Sequence, residues 1–148
     1  MTMDQSTVPP RKRRRWPWVL LLAVIAFVLF SIWPESYVVR SQVSEGASLA
    51  EGAKSAIADY YASKHKFPLD NRQAGLAEPG SITGDYVSSL SITNGTITAT
   101  YGNKAAAGIA GKKLVFSPRP ASNTLRWTCD SSAGSTVEIR DRPTICRP

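Results

Sequence analysis

The chain has 148 residues and a mass of 16.0 kDa, room for one domain and little more. With 43% hydrophobic and 20% charged residues it is not a disordered tail, and one His with two Cys excludes a conventional His/Cys metal cluster. The net charge of +7 is unevenly spread, since Arg11, Lys12, Arg13, Arg14 and Arg15 form one run while residues 37–148 carry a net of only +4.

No charge falls between Trp16 and Pro34, and within Trp16–Trp33 only Pro17 and Ser31 interrupt the apolar run. As a helix this stretch rises roughly 27 Å, close to the ~30 Å hydrocarbon core of a bilayer. Its Leu, Ile, Val and Phe residues favour insertion by at most about 3–7 kcal/mol. Trp16 and Trp18 at one end and Trp33 at the other suit an aromatic belt at both interfaces. The alternatives are a buried core helix, which the remaining chain is too short to wrap, and a cleaved secretory signal, whose Val24/Ala26 cleavage site would fall in mid-run. The basic run before the helix and the sparse cations after it (Arg40, Lys54) predict a cytoplasmic N-terminus by the positive-inside rule. The chain then divides into a basic cytoplasmic tail (1–15), a single-pass inner-membrane helix (16–34) and a periplasmic domain (35–148). Inner-membrane lipid is an expected partner, and the basic run adds a lesser electrostatic attraction to anionic headgroups.

Pro34 stops or kinks the first helix. A second follows over about Ser36–Lys66, with Val39, Val43, Ala47, Ala50, Ile57 and Tyr60/Tyr61 on one stripe, and Phe67-Pro68 ends it. Residues 68–85 show no period and read as a long surface loop. Tyr86–Thr93 and Thr96–Tyr101 flank Asn94-Gly95, the pair that a type I′ hairpin turn requires. In that register Ile92 faces Ile97, Leu90 faces Ala99 and Ser88 faces Tyr101, while the opposite, hydroxyl-rich face pairs Thr93 with Thr96, Ser91 with Thr98 and Ser89 with Thr100. The turn accounts for Asn94-Gly95-Thr96 without glycosylation. Lys104–Gly111 is a small-residue connector. Lys112–Ser117 and Thr124–Cys129 alternate and form a second antiparallel pair, separated by Pro118–Asn123. The result is an α+β fold, a long helix packed on a four-stranded antiparallel sheet. Cys129 and Cys146 bound the C-terminal segment. Outside the inner membrane a disulfide is the expected state, with free thiols as the alternative, and its closure adds about 3 kcal/mol.

These parts, in this order, resemble a bacterial type IV pilin over roughly Ile32–Pro148. The resemblance rests on Val39-Arg40-Ser41-Gln42-Val43-Ser44-Glu45, the Ala-rich helix ending Asp59-Tyr60-Tyr61, Phe67-Pro68 and Gly84-Asp85-Tyr86-Val87. Further along it rests on Asn94-Gly95-Thr96-Ile97-Thr98-Ala99, Gly111-Lys112-Lys113-Leu114, Leu125-Arg126-Trp127-Thr128-Cys129 and Cys146-Arg147. It implies a long N-terminal helix, half in the membrane, whose lower half packs on a four-stranded sheet with a disulfide-bounded loop. It also implies cleavage after a Gly that precedes a Phe-Thr-Leu-Ile-Glu-like start. Here the first Gly is Gly46 and the first Glu is Glu35, both beyond the apolar stretch. An uncut N-terminus is therefore expected. Drawing its five cations through lipid costs on the order of 12–17 kcal/mol, which favours a static inner-membrane anchor.

The expected function is non-enzymatic, as a structural or interaction component of type IV pili (fimbriae) in pilus biogenesis or cell adhesion, with other pilins or assembly proteins as partners. One alternative is DNA capture by Lys112, Lys113, Arg119, Arg126, Arg140, Arg142 and Arg147, against which stands an ordinary solvated surface. Another is a regulator that binds true pilins laterally in the membrane. No catalytic, cofactor-binding or metal-binding residue and no small-molecule substrate is expected. His65, at a helix end among lysines, reads as a partner for the helix dipole.

Overall fold

A computed structural model describes residues 16–31, 35–122 and 124–147. The basic run Arg11–Arg15 and Trp33 lie outside the described residues, as does the side chain of Trp16. The chain divides into two compact units, 1–34 and 35–148.

The first unit contains α1 (Trp16–Ser31), 16 residues without a charge. Pro17 sits in its first turn, where a missing N–H breaks no helical bond. Among the described residues no helix is long and apolar enough to cross a membrane. The expected span ran on to Pro34, and residues 32–34 lie outside the described residues.

The second unit opens with α2 (Glu35–Lys64). Val43, Ala50, Ala53 and Ile57 recur at helical spacing and are buried against the sheet. Val39 and Ala47 pack partly against the same core. The helix ends two residues before the expected Lys66. His65 adopts a left-handed backbone (φ 53°) and donates its N–H to the Tyr61 carbonyl at 2.8 Å, closing the last turn. Tyr61 then stacks on Phe67, with ring centroids 4.7 Å apart.

The sheet has the order β1 (Val87–Thr93), β2 (Thr96–Tyr101), β3 (Lys113–Ala121), β4 (Thr124–Thr128), and every pairing is antiparallel. The hairpin register matches expectation from Thr93↔Thr96 to Ser89↔Thr100. It departs at the far end, where a bulge inserts Ser88 and Tyr101 faces Val87, not Ser88. The reason is burial. Val87 and Leu90 are both inward, three residues apart, which a strict two-residue period does not allow. Ser88 compensates by donating its hydroxyl to the Thr100 carbonyl.

A second departure concerns β3, which runs through Pro118 and Pro120 to Ala121 without stopping at Ser117. Its first half pairs with β2 (Ile97↔Phe116 to Thr100↔Lys113) and its second half with β4 (Ser117↔Thr128 to Ala121↔Thr124). A disulfide joins Cys129, just past β4, to Cys146, with Cα atoms 4.8 Å apart. Tyr101, Leu90, Ile97, Leu114, Phe116 and Val137 complete the core under α2.

Candidate functional site

Three surfaces bear on function. The first is α1, whose described side chains from Pro17 to Val28 are all exposed. Trp18 is 70% exposed and Leu22 65%. A helix that is apolar on every side normally sits in a core or a bilayer.

The second is the clamp by which α2 holds the loops above it. Gln42 is buried and accepts the Ala106 N–H through Oε1 at 2.8 Å. One turn on, Glu45 accepts the Tyr86 N–H through Oε2 at 2.8 Å. Gly84 packs on the same carboxylate so closely that a Cβ there would fall on Glu45 Oε1. Gly46 serves likewise, because a Cβ on it would collide with the Tyr101 hydroxyl. That hydroxyl donates to the Val43 carbonyl at 2.7 Å. Burial first, and then the Glu45 charge, raise the Tyr101 phenol above its ordinary pKa. The loop after α2 is fixed by Asn71, which is 2% exposed. Its Nδ2 donates to the Ala77 and Leu90 carbonyls at 3.0 and 2.9 Å, and its Oδ1 accepts from Ile92 N–H at 2.7 Å.

The third is the disulfide-closed segment. Asp130 caps its first turn, accepting from the Ser132 and Ala133 N–H groups. The Ser132 hydroxyl is the largest cause holding the Asp130 carboxyl below its usual range. Arg142 is 4% exposed and ties the segment together. Its Nε donates to the Val137 carbonyl at 2.7 Å, Nη1 to Ser131 Oγ and Nη2 to the Ser135 carbonyl, both at 3.0 Å. Arg147 donates to the Arg142 and Arg140 carbonyls. The segment grips β3 directly: Ser135 Oγ and Thr136 Oγ1 accept from Val115 and Lys113 N–H, and Thr136 N–H donates back to the Lys113 carbonyl.

The cations singled out in sequence therefore separate. Arg142 and Arg147 are spent on internal carbonyls. Lys112 pairs with Glu138 at 3.0 Å, a contact that is the first cause of the lowered Glu138 pKa. Arg140 lies 3.7 Å from Asp141. Lys113, Arg119 and Arg126 are exposed, and Arg119 stands directly opposite Arg126 across the strands. Cys129 and Cys146 are brought together as expected.

Lys54 has a packing role that its sequence position hides. It reads as a solvent-facing charge, yet its side chain is only 14% exposed. Its ammonium sits 4.3 Å from the Phe116 ring centroid and 5.9 Å from that of Trp127, and pairs with Glu51. Asn71 carries no signal in the sequence, Tyr101 reads there only as a strand end opposite Ser88, and Gln42 and Glu45 read only as part of a stretch that carries the resemblance.

Comparison with known proteins agrees with this architecture. The model of the family Pilin (bacterial filament) matches residues 39–147. The type IV major pilin protein PilE1 of Neisseria gonorrhoeae is 33% identical over 144 residues, covering 87% of this chain and 87% of its own length. Fimbrial protein EcpC of Eikenella corrodens is 35% identical over 136 residues, covering 87% and 85%. A fimbrial protein of Neisseria meningitidis serogroup A is 34% identical over 127 residues, covering 85% and 72%.

Proposed function

This chain belongs to the pilin family of bacterial filament proteins, and on that premise we propose that it is a membrane-anchored structural component or accessory of type IV pili. It acts through its globular head in pilus biogenesis or adhesion, with other pilins or assembly proteins as partners. One observation carries the reading: α1 exposes apolar side chains all round and bears no charge. Such a surface is stable in lipid or against other apolar helices, and not in water.

In this reading residues 16–34 hold the chain in the inner membrane, with residues 1–15 in the cytoplasm and the head in the periplasm. Arg11–Arg15 immediately before the apolar run support that orientation. They also resist withdrawal through the bilayer, so the molecule stays behind as an anchor that displays a pilin head. A disulfide at the C-terminus suits the oxidising side.

The test is cell fractionation followed by intact-mass measurement. An inner-membrane species that retains Arg11–Arg15 is expected. A truncated species in sheared, purified filaments would overturn the anchor and leave an ordinary filament subunit.

A further inference from the structure

We propose that the free edge of β4 is a docking strand for an extended segment of another protein, one that alternates apolar and acidic residues. The argument starts from which way the backbone of β3 points. Lys113 and Val115 turn their N–H groups toward the C-terminal segment, away from β2. By the two-residue period of a strand, Ser117, Arg119 and Ala121 then direct their backbone groups at β4. Pro118 and Pro120 face the opposite edge, beyond the end of β2, where they offer a stray strand no N–H donor.

The edge of β4 has no such protection. Pro118↔Trp127 and Pro120↔Leu125 are the non-hydrogen-bonded pairs of the ladder, so Leu125 and Trp127 direct their own N–H and C=O groups outward. Among the described residues none of these four groups has a partner. One edge of the hairpin is blunted by two prolines and the other presents an open row of donors and acceptors.

The two faces beside that edge define what fits. On the helix side a groove of about 380 Å³ lies between the last turns of α2 (Ala58, Tyr61, Ala62) and Leu125, with His65, Ser122 and Thr124 completing its lining. Alternate side chains of an added strand fall against the apolar part of this wall, Ala58, Ala62 and Leu125. On the other side stands Arg126, exposed, without an ion pair among the described residues, and directly across from Arg119. Like charges facing across a ladder repel, and an acidic side chain on the added strand relieves the repulsion. Backbone pairing, a groove with an apolar wall and an unpaired cation therefore select one pattern. A nucleic acid satisfies the cation and leaves the backbone row unmet.

The experiment uses the full isotope-labelled chain in detergent micelles with the disulfide intact. A blocked hexapeptide of alternating Val and Glu is titrated to millimolar concentration, with a Val/Lys hexapeptide as control. Saturable amide shifts and slowed hydrogen exchange at Leu125 and Trp127 are expected with Val/Glu alone. Arg126→Glu removes the repulsion with Arg119 and so keeps the fold. It should weaken Val/Glu binding about two- to five-fold and create a response to Val/Lys. No saturable change at the two amides overturns the proposal, as does an equal response to both peptides. Protection of the same amides by a second copy of the chain without peptide, or by an oligonucleotide when the Val/Glu peptide is inert, overturns the choice of occupant.

Discussion

Asn71 finishes the outer edge of β1 with a single side chain, supplying the donor and the acceptor that a fifth strand would give to Leu90 and Ile92. Asn71→Ala leaves both backbone groups buried and unpaired, at about 1–3 kcal/mol each. Urea unfolding of the variant should therefore show a loss of roughly 2–4 kcal/mol with little change in slope. Tyr101 gives a pH prediction. Its folded pKa lies above the ordinary value of about 10. The folded state thus holds the proton more tightly than the unfolded one, and that stabilisation is complete below about pH 10 and is lost as pH rises toward the folded pKa. The urea midpoint should hold steady up to pH 9 and then fall, and the fall should be smaller in Tyr101→Phe. Neither residue stood out in sequence. Asn71 lies in a stretch rich in Pro and Gly, where Asn reads as a turn former, and its partners are 19 and 21 residues away. Tyr101 was legible as a strand end facing the core, but its hydroxyl reaches a carbonyl 58 residues back, and no local pattern encodes that.

At the scale of elements, the β1–β2 hairpin was legible because alternation and turn chemistry agree. Thr96–Tyr101 has the expected limits, and five of the six expected facing pairs hold. The bulge was hidden because it answers to the burial of Val87, a tertiary demand. The extent of β3 was misjudged for a related reason. Proline ends a central strand but is tolerated where its amide faces an open edge, and which edge a residue faces depends on the order of strands. The disulfide was legible from two cysteines and the redox compartment that the topology implied. What it secures was not: a segment without strands of its own, held by Arg142 and by its own Ser135 and Thr136 hydroxyls, which accept from β3 N–H groups. Reduction should lower stability by about 3 kcal/mol, read as a drop in Tm with and without reductant. Arg142→Met should leave Cys129–Cys146 oxidised but open residues 130–145 to limited proteolysis, since two carbonyls and one hydroxyl lose their donor.

For the whole molecule, the order of elements carried most of the information. A charge-free apolar helix, a second helix with a small-residue stripe, two hairpins and a terminal cysteine pair together led to the family, although each alone is common. Surface charge was the least legible property, because a count of Lys and Arg does not reveal which are engaged by carbonyls. Only Lys113, Arg119 and Arg126, of the seven, are exposed with side chains that make no ion pair or hydrogen bond among the described residues. Replacing Lys113, Arg119 and Arg126 together by Gln in the full-length protein should therefore flatten the log–log salt slope of any DNA binding by no more than about 3. The covalent bond at the end of the head has a mechanical consequence as well. If traction is applied through the last residues, the load bypasses the 130–145 segment and enters the sheet at Cys129, where β4 must be torn from β3 before anything lengthens. Cutting the bond adds up to about 60 Å of slack to the stretched chain, for a separation of 17 residues. An oxidised head is in this sense a short, stiff link, and a reduced one is a yielding cord.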